Sequence, residues 1–147
     1  MTVFDAIGMD GLRALAAAWH ARVMADEVVA HAFDGALQPD HVERLAAYWA
    51  EALGGPVSYT GVYGDETAVA RMHAGHGEHT DMDERAVRCF DAALAEVGVS
   101  GELFGVLHDY FAWSTARFAQ WPSSAGDVPD GLSVPRWTWD GLSREAP

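Results

Sequence analysis

The chain of 147 residues sets 22 acids against nine basic residues, all of them arginine, for a net charge of −13. That charge repels phosphate backbones and anionic headgroups, which argues against nucleic acid and membrane surfaces as partners. No apolar run approaches the ~20 residues of a membrane span, and the single cysteine, Cys89, excludes an internal disulfide framework.

The start, "MTVFDAIGMDGLRAL", lacks the basic residues and unbroken apolar run of a signal peptide, so a cytoplasmic location is expected. Through the alanine-rich stretch from Gly11 to Ala25, Leu12, Leu15, Trp19 and Val23 recur at helical spacing. Val28 to Phe33 reads as a second, short helical piece. Pro39 and Asp40 open a well-marked helix that Gly54-Gly55-Pro56 ends. A weaker helical signal runs from Asp65 to His73. Thr80 or Asp81 is placed to cap the next helix, which Gly98 closes, and Ser100 starts a buried one reaching towards Trp121. Beyond it the chain turns proline-rich and loses helical period, yet Trp137 and Trp139 are costly to leave in water. An irregular tail whose tryptophans pack back onto the globule is therefore expected. No segment alternates as a half-buried strand does, so the fold class is all-α.

Three histidines, His73, His76 and His79, stand three residues apart and are interrupted by two glycines, Gly75 and Gly77. Such imidazoles could share zinc or non-haem iron. Spacing of three aligns side chains only on a helix, however, and the glycines argue against one here. Cys89 reads as a small apolar residue rather than a nucleophile, with Arg85 and Arg88 pointing away from it by helical spacing.

The order of phrases carries a resemblance. Ala6-Ile7-Gly8 is followed by Trp19-His20, by Phe33 in a turn, by Gly54-Gly55-Pro56 with Tyr59 beyond, by Arg71-Met72-His73, and by Arg88-Cys89-Phe90. This order is similar to that of the group II truncated globins over residues 3 to 118. The resemblance implies a two-over-two helical sandwich around haem b in residues 1–121, with 122–147 as an extension packing on the globule. It makes His73 the axial ligand of the iron, 16 residues before Cys89.

By the same resemblance, His20 and His41 fall on the distal side as catalytic candidates. Leu45 lies one helical turn beyond His41, and Phe33 with Tyr59 completes the lining. Ala86 stands where the family commonly carries a tryptophan, which enlarges the pocket. Arg71 and Arg44 are candidates for the haem propionates. The implied activity is binding of O2, NO or a peroxide at the iron, with NO dioxygenase- or peroxidase-like turnover by a haem-dependent oxidoreductase as its extension. An external electron donor is then required, since no phosphate-cradling glycine loop for a flavin or nicotinamide is present. A homo-oligomer is compatible with the sequence. Two rival readings stay open: a helical enzyme holding a non-haem metal at His73, His76 and His79, and a haem-free globin-like binding or sensor module.

Overall fold

A computed structural model describes residues 1–33 and 39–144 of the chain; the end of the expected extension, 145–147, lies outside the described residues. Six α-helices are present among them: α1 (Val3–Ala25), α2 (Glu27–Ala30), α3 (His41–Ala52), α4 (Glu66–His73), α5 (Thr80–Glu96) and α6 (Gly101–Phe118). α1 packs on α3 and on α5, and α5 packs on α6, so two helix pairs lie over one another. The all-α expectation holds, with one small addition. In the tail, β1 (Trp137–Thr138) pairs antiparallel with β2 (Gly141–Leu142).

Helix starts and stops follow from caps. α1 begins eight residues before the periodic stretch, because the Thr2 hydroxyl accepts from the Asp5 amide and the Asp5 carboxylate accepts from the Thr2 amide. This reciprocal box satisfies two donors a helix otherwise leaves open. Gly8, at φ +73°, kinks the helix before its main run. In α5 the cap is displaced from the expectation: His79, not Thr80, occupies the N-cap position, and its ring donates to Asp83 one turn on.

The core is built on the predicted apolar stripe. Leu12, Leu15 and Val23 of α1 are fully buried with Leu53, Phe90, Leu94 and Leu107. Aromatic rings fill the centre: Phe90 stacks on Phe111 at 4.2 Å, Trp49 meets both rings edge-on, and Trp19 meets Phe111 and Trp49 edge-on. The Trp19 indole donates to the Ala86 carbonyl at 3.1 Å, which ties α1 to α5 without an unsatisfied buried N–H.

Two features align the end of α3. Glu51, though buried, accepts from the Tyr59 and Thr60 amides and from the Thr60 hydroxyl, so its carboxylate is saturated by the loop it organises. Gly55 leaves no room for a side chain: a Cβ there would meet the Ala50 carbonyl oxygen and the Phe4 ring at 2.7 Å. Replacing Gly55 with alanine is expected to cost about 1–3 kcal/mol by overpacking. Urea midpoints compare it with Gly105→Ala, where nothing lies within 4 Å and a helical alanine should stabilise.

Candidate functional site

α4 is only eight residues long, and His73 ends it. The His73 ring stacks on Phe118 of α6 at 4.3 Å with 12° between planes. Its Nδ1 lies 2.8 Å from the Val69 carbonyl. A carbonyl only accepts, so Nδ1 carries the proton and Nε2 is left with its lone pair free. That is the tautomer and the second-shell bond a metal-ligating histidine uses. Burial holds the imidazole below the ordinary histidine range, with the Val69 bond opposing. Surrounding protein desolvates the ring in this way although the residue as a whole is exposed to solvent.

The other two histidines of the triplet are directed elsewhere. His76 donates to the Met72 carbonyl and His79 to Asp83. Gly75 and Gly77 both hold positive φ, which breaks the helix the three would need to share a face. Among the described residues no three His, Cys, Asp or Glu side chains are grouped to hold a metal ion. The shared-metal expectation therefore has no cage in the fold.

In a separate group, three elements bring His20, Phe33 and His41 together. The His20 and His41 ring centroids are 5.1 Å apart, and Phe33 stands 5.2 Å from His41 and 6.5 Å from His20. Among the described residues, His20 Nδ1 and His41 Nε2 are buried without a hydrogen-bond partner. An unsatisfied buried nitrogen costs about 1–3 kcal/mol, so two on adjacent rings need an explanation. Burial first, and the neighbouring His20 second, hold His41 below its usual range, which keeps it neutral near pH 7. Leu45 is half-buried against the core on the same helix as His41, and Ala86 is buried beneath Trp19.

The expected edge arginines fare differently. Arg71 turns away to the tail, where it pairs with Asp130 at 2.7 Å, because the extension sets a carboxylate beside it. Arg44 pairs with Asp40 one turn back and lies 4.9 Å over the Tyr63 ring. Tyr59 is buried edge-on to Tyr48, and desolvation raises its hydroxyl pKa. Cys89 also differs from its expectation. It lines an open cleft of about 520 Å³ with Arg22, Arg85 and Arg88, so the arginines do come near it. Burial still pushes its thiol pKa up, which leaves it protonated and weakly nucleophilic.

Sequence reasoning missed the buried pair that anchors α4. Glu66 is fully buried, accepts from the Tyr48 hydroxyl at 2.7 Å, and pairs with Arg117 of α6. No local signal joins residues 51 apart in the chain. Acidic Glu66 directly after the Asp65 cap was the only hint.

The family model of the bacterial-like globins matches residues 2–112. The chain is a bacterial-like globin. The globin's fold is similar to that of the group II truncated hemoglobin from Bacillus anthracis, at 20% identity and a TM-score of 0.73 over 87% of this chain and 98% of that one. The hemoglobin of Chloroflexus aurantiacus is 25% identical, with a TM-score of 0.70 over 80% of this chain and 97% of that one. The thermostable hemoglobin of Thermobifida fusca is 21% identical, with a TM-score of 0.71 over 84% of this chain and all of that one. No curated protein matches the globin in sequence. The truncated-globin architecture expected from the order of phrases is thus the one the chain adopts. No helix among the described residues is long and apolar enough to cross a membrane.

Proposed function

We propose that this globin binds haem b, which the His73 imidazole would hold through the iron, and that His20 and His41 would hold a small polar ligand between them. The observation that supports it best is the His73 ring, whose Nδ1–H is committed to Val69, so that the lone pair sits on Nε2. The residues fit the group. A flat apolar cofactor needs a cleft with one free imidazole nitrogen on one wall and polar groups on the other. Buried nitrogens on His20 and His41, unpartnered among the described residues, would supply the second.

When bound, haem supplies an iron site for O2, NO or a peroxide and exchanges electrons with it. The chain's own part is to orient and to move protons. His20 and His41 can donate N–H to a ligand that gains negative charge, and such charge-assisted bonds are the strong ones. A neutral imidazole can equally take a proton from a peroxide and return it to the departing oxygen, near neutral pH. Phe33 excludes water from that side. Two proton-handling groups suit NO dioxygenase- or peroxidase-like turnover in the cytoplasm, with electrons from an external donor. Arg44 is the remaining edge cation for a propionate, and Ala86, in place of a bulky ring, leaves the pocket wide.

Titration of the haem-free protein with hemin tests this. The account expects one haem per chain, a sharp Soret band, and a further shift when the reduced form meets CO. A broad, unsaturable absorbance with no response to CO would favour a haem-free binding module instead.

A further inference from the structure

We infer that residues 121–132 of the C-terminal segment position the axial imidazole, with Thr67 and the Arg71–Asp130 pair as positioning residues; this rests on the reading of His73 as haem ligand. A helix of eight residues is marginal by itself, because nucleation fixes several dihedrals for each early bond. α4 must be held from outside. Among the named elements its most extensive packing is with the tail's 3-10 turn, Ala125–Asp127, and not with another helix.

The bonds bracket His73 on both sides. Six residues before it, the Thr67 hydroxyl donates to the Pro129 carbonyl at 3.2 Å and accepts from the Leu132 amide at 3.0 Å. Two residues before it, Arg71 donates to Asp130 at 2.7 Å and to the Val128 carbonyl at 3.5 Å. Two residues after it, the Gly75 amide donates to the Trp121 carbonyl at 2.9 Å. Four residues after it, the Gly77 amide donates to the Pro122 carbonyl at 2.8 Å. Gly75 and Gly77 sit at φ +78° and +72°, a conformation that presents those amides to the tail and that other residues rarely adopt. A Cβ at Gly75 would lie 3.5 Å from the Ala125 nitrogen, so the two backbones are in contact. Val128, at the centre of the clamp, is 2% exposed.

A tail that only covered apolar surface would need none of these polar bonds. Trp137 does that separately, packing against Tyr110 and Trp113 of α6. The clamp and the cover are therefore separable by mutation. The tail side of the clamp, residues 121–132, lies beyond the span 2–112 matched by the family model, while Thr67, Arg71, Gly75 and Gly77 lie within it.

The test compares Thr67→Val, which removes both hydroxyl bonds, and Asp130→Asn with Thr138→Ala, which loosens only the hairpin. Amide exchange is measured at Gly75 and Gly77 in the haem-free full chain, and the iron–imidazole stretching band and hemin release in the loaded one. The clamp predicts exchange and hemin release faster by about tenfold, the equivalent of 1.4 kcal/mol, with a broadened or shifted stretching band in Thr67→Val and Asp130→Asn alone. Lower melting temperatures with exchange, band and release unchanged would overturn the inference. If no haem is taken up, the ligand role of His73 falls. Faster exchange in the haem-free Thr67→Val chain would still uphold the clamp itself, so the two failures are told apart.

Discussion

Replacing Glu66 with alanine destabilises the protein by about 3–5 kcal/mol, a large share of the roughly 5–15 kcal/mol that holds an ordinary domain. Two groups lose their partner at once. The Arg117 side chain, 14% exposed, is left as an unpaired buried cation, and the Tyr48 hydroxyl loses its acceptor. Attraction within the pair is not what makes the change expensive. Burial raises the Glu66 pKa in spite of bonds from Tyr48 and Arg117, so desolvation outweighs them. The cost lies in breaking one side. Exchanging both ends for apolar residues, Glu66→Leu with Arg117→Met, should accordingly recover most of the loss. Urea unfolding of the singles and the double reads this. A Glu66→Ala variant within 1 kcal/mol of the parent would mean that water reaches the pair. The effect matters for function because Glu66 begins the helix that His73 ends, and Arg117 adjoins Phe118, on which His73 stacks.

His20→Phe and His41→Phe should each leave haem bound while speeding loss of O2. One hydrogen bond to a charged ligand is worth about 1.5–3 kcal/mol, or roughly 10- to 150-fold in off-rate. Carbon monoxide gains little charge when bound, so its off-rate should move far less and serves as the control. The two rings are in contact at 5.1 Å, so the double variant should depart from the product of the singles. Laser photolysis and stopped-flow mixing give both rates. An O2 off-rate unchanged in either variant removes that histidine from the distal role. Where both are silent, the orphaned nitrogens serve something other than ligand binding.

Much of the fold was legible because one-face burial writes itself as period 3.6. Leu12, Leu15, Trp19 and Val23 marked α1, and every one of them is buried. The start of α1 was missed although its signal, Thr2 with Asp5 three residues on, was present in the letters. The hairpin at Trp137–Leu142 is too short to show alternation.

The site was legible in a different way. Nothing in spacing joins His20 to His41; only the order of phrases shared with a family suggested it. Physical reasons explain the rest. Arg71 two residues before an axial histidine reads the same whether it meets a propionate or Asp130, because the partner is chosen by a loop 59 residues away. The clamp on Gly75 and Gly77 runs through backbone amides and carbonyls, which leave no trace in side-chain identity. Nothing local in the sequence sets Glu66 and Arg117 apart from surface charges. Only packing revealed that the first is sealed from water.

His73→Gly, purified beside the parent after both are loaded with hemin and desalted, is the most direct measurement. Loss of the haem from the variant, with free imidazole restoring both the colour and the axial spectrum, is the predicted result. A variant that keeps its haem and its spectrum without added imidazole would contradict the account.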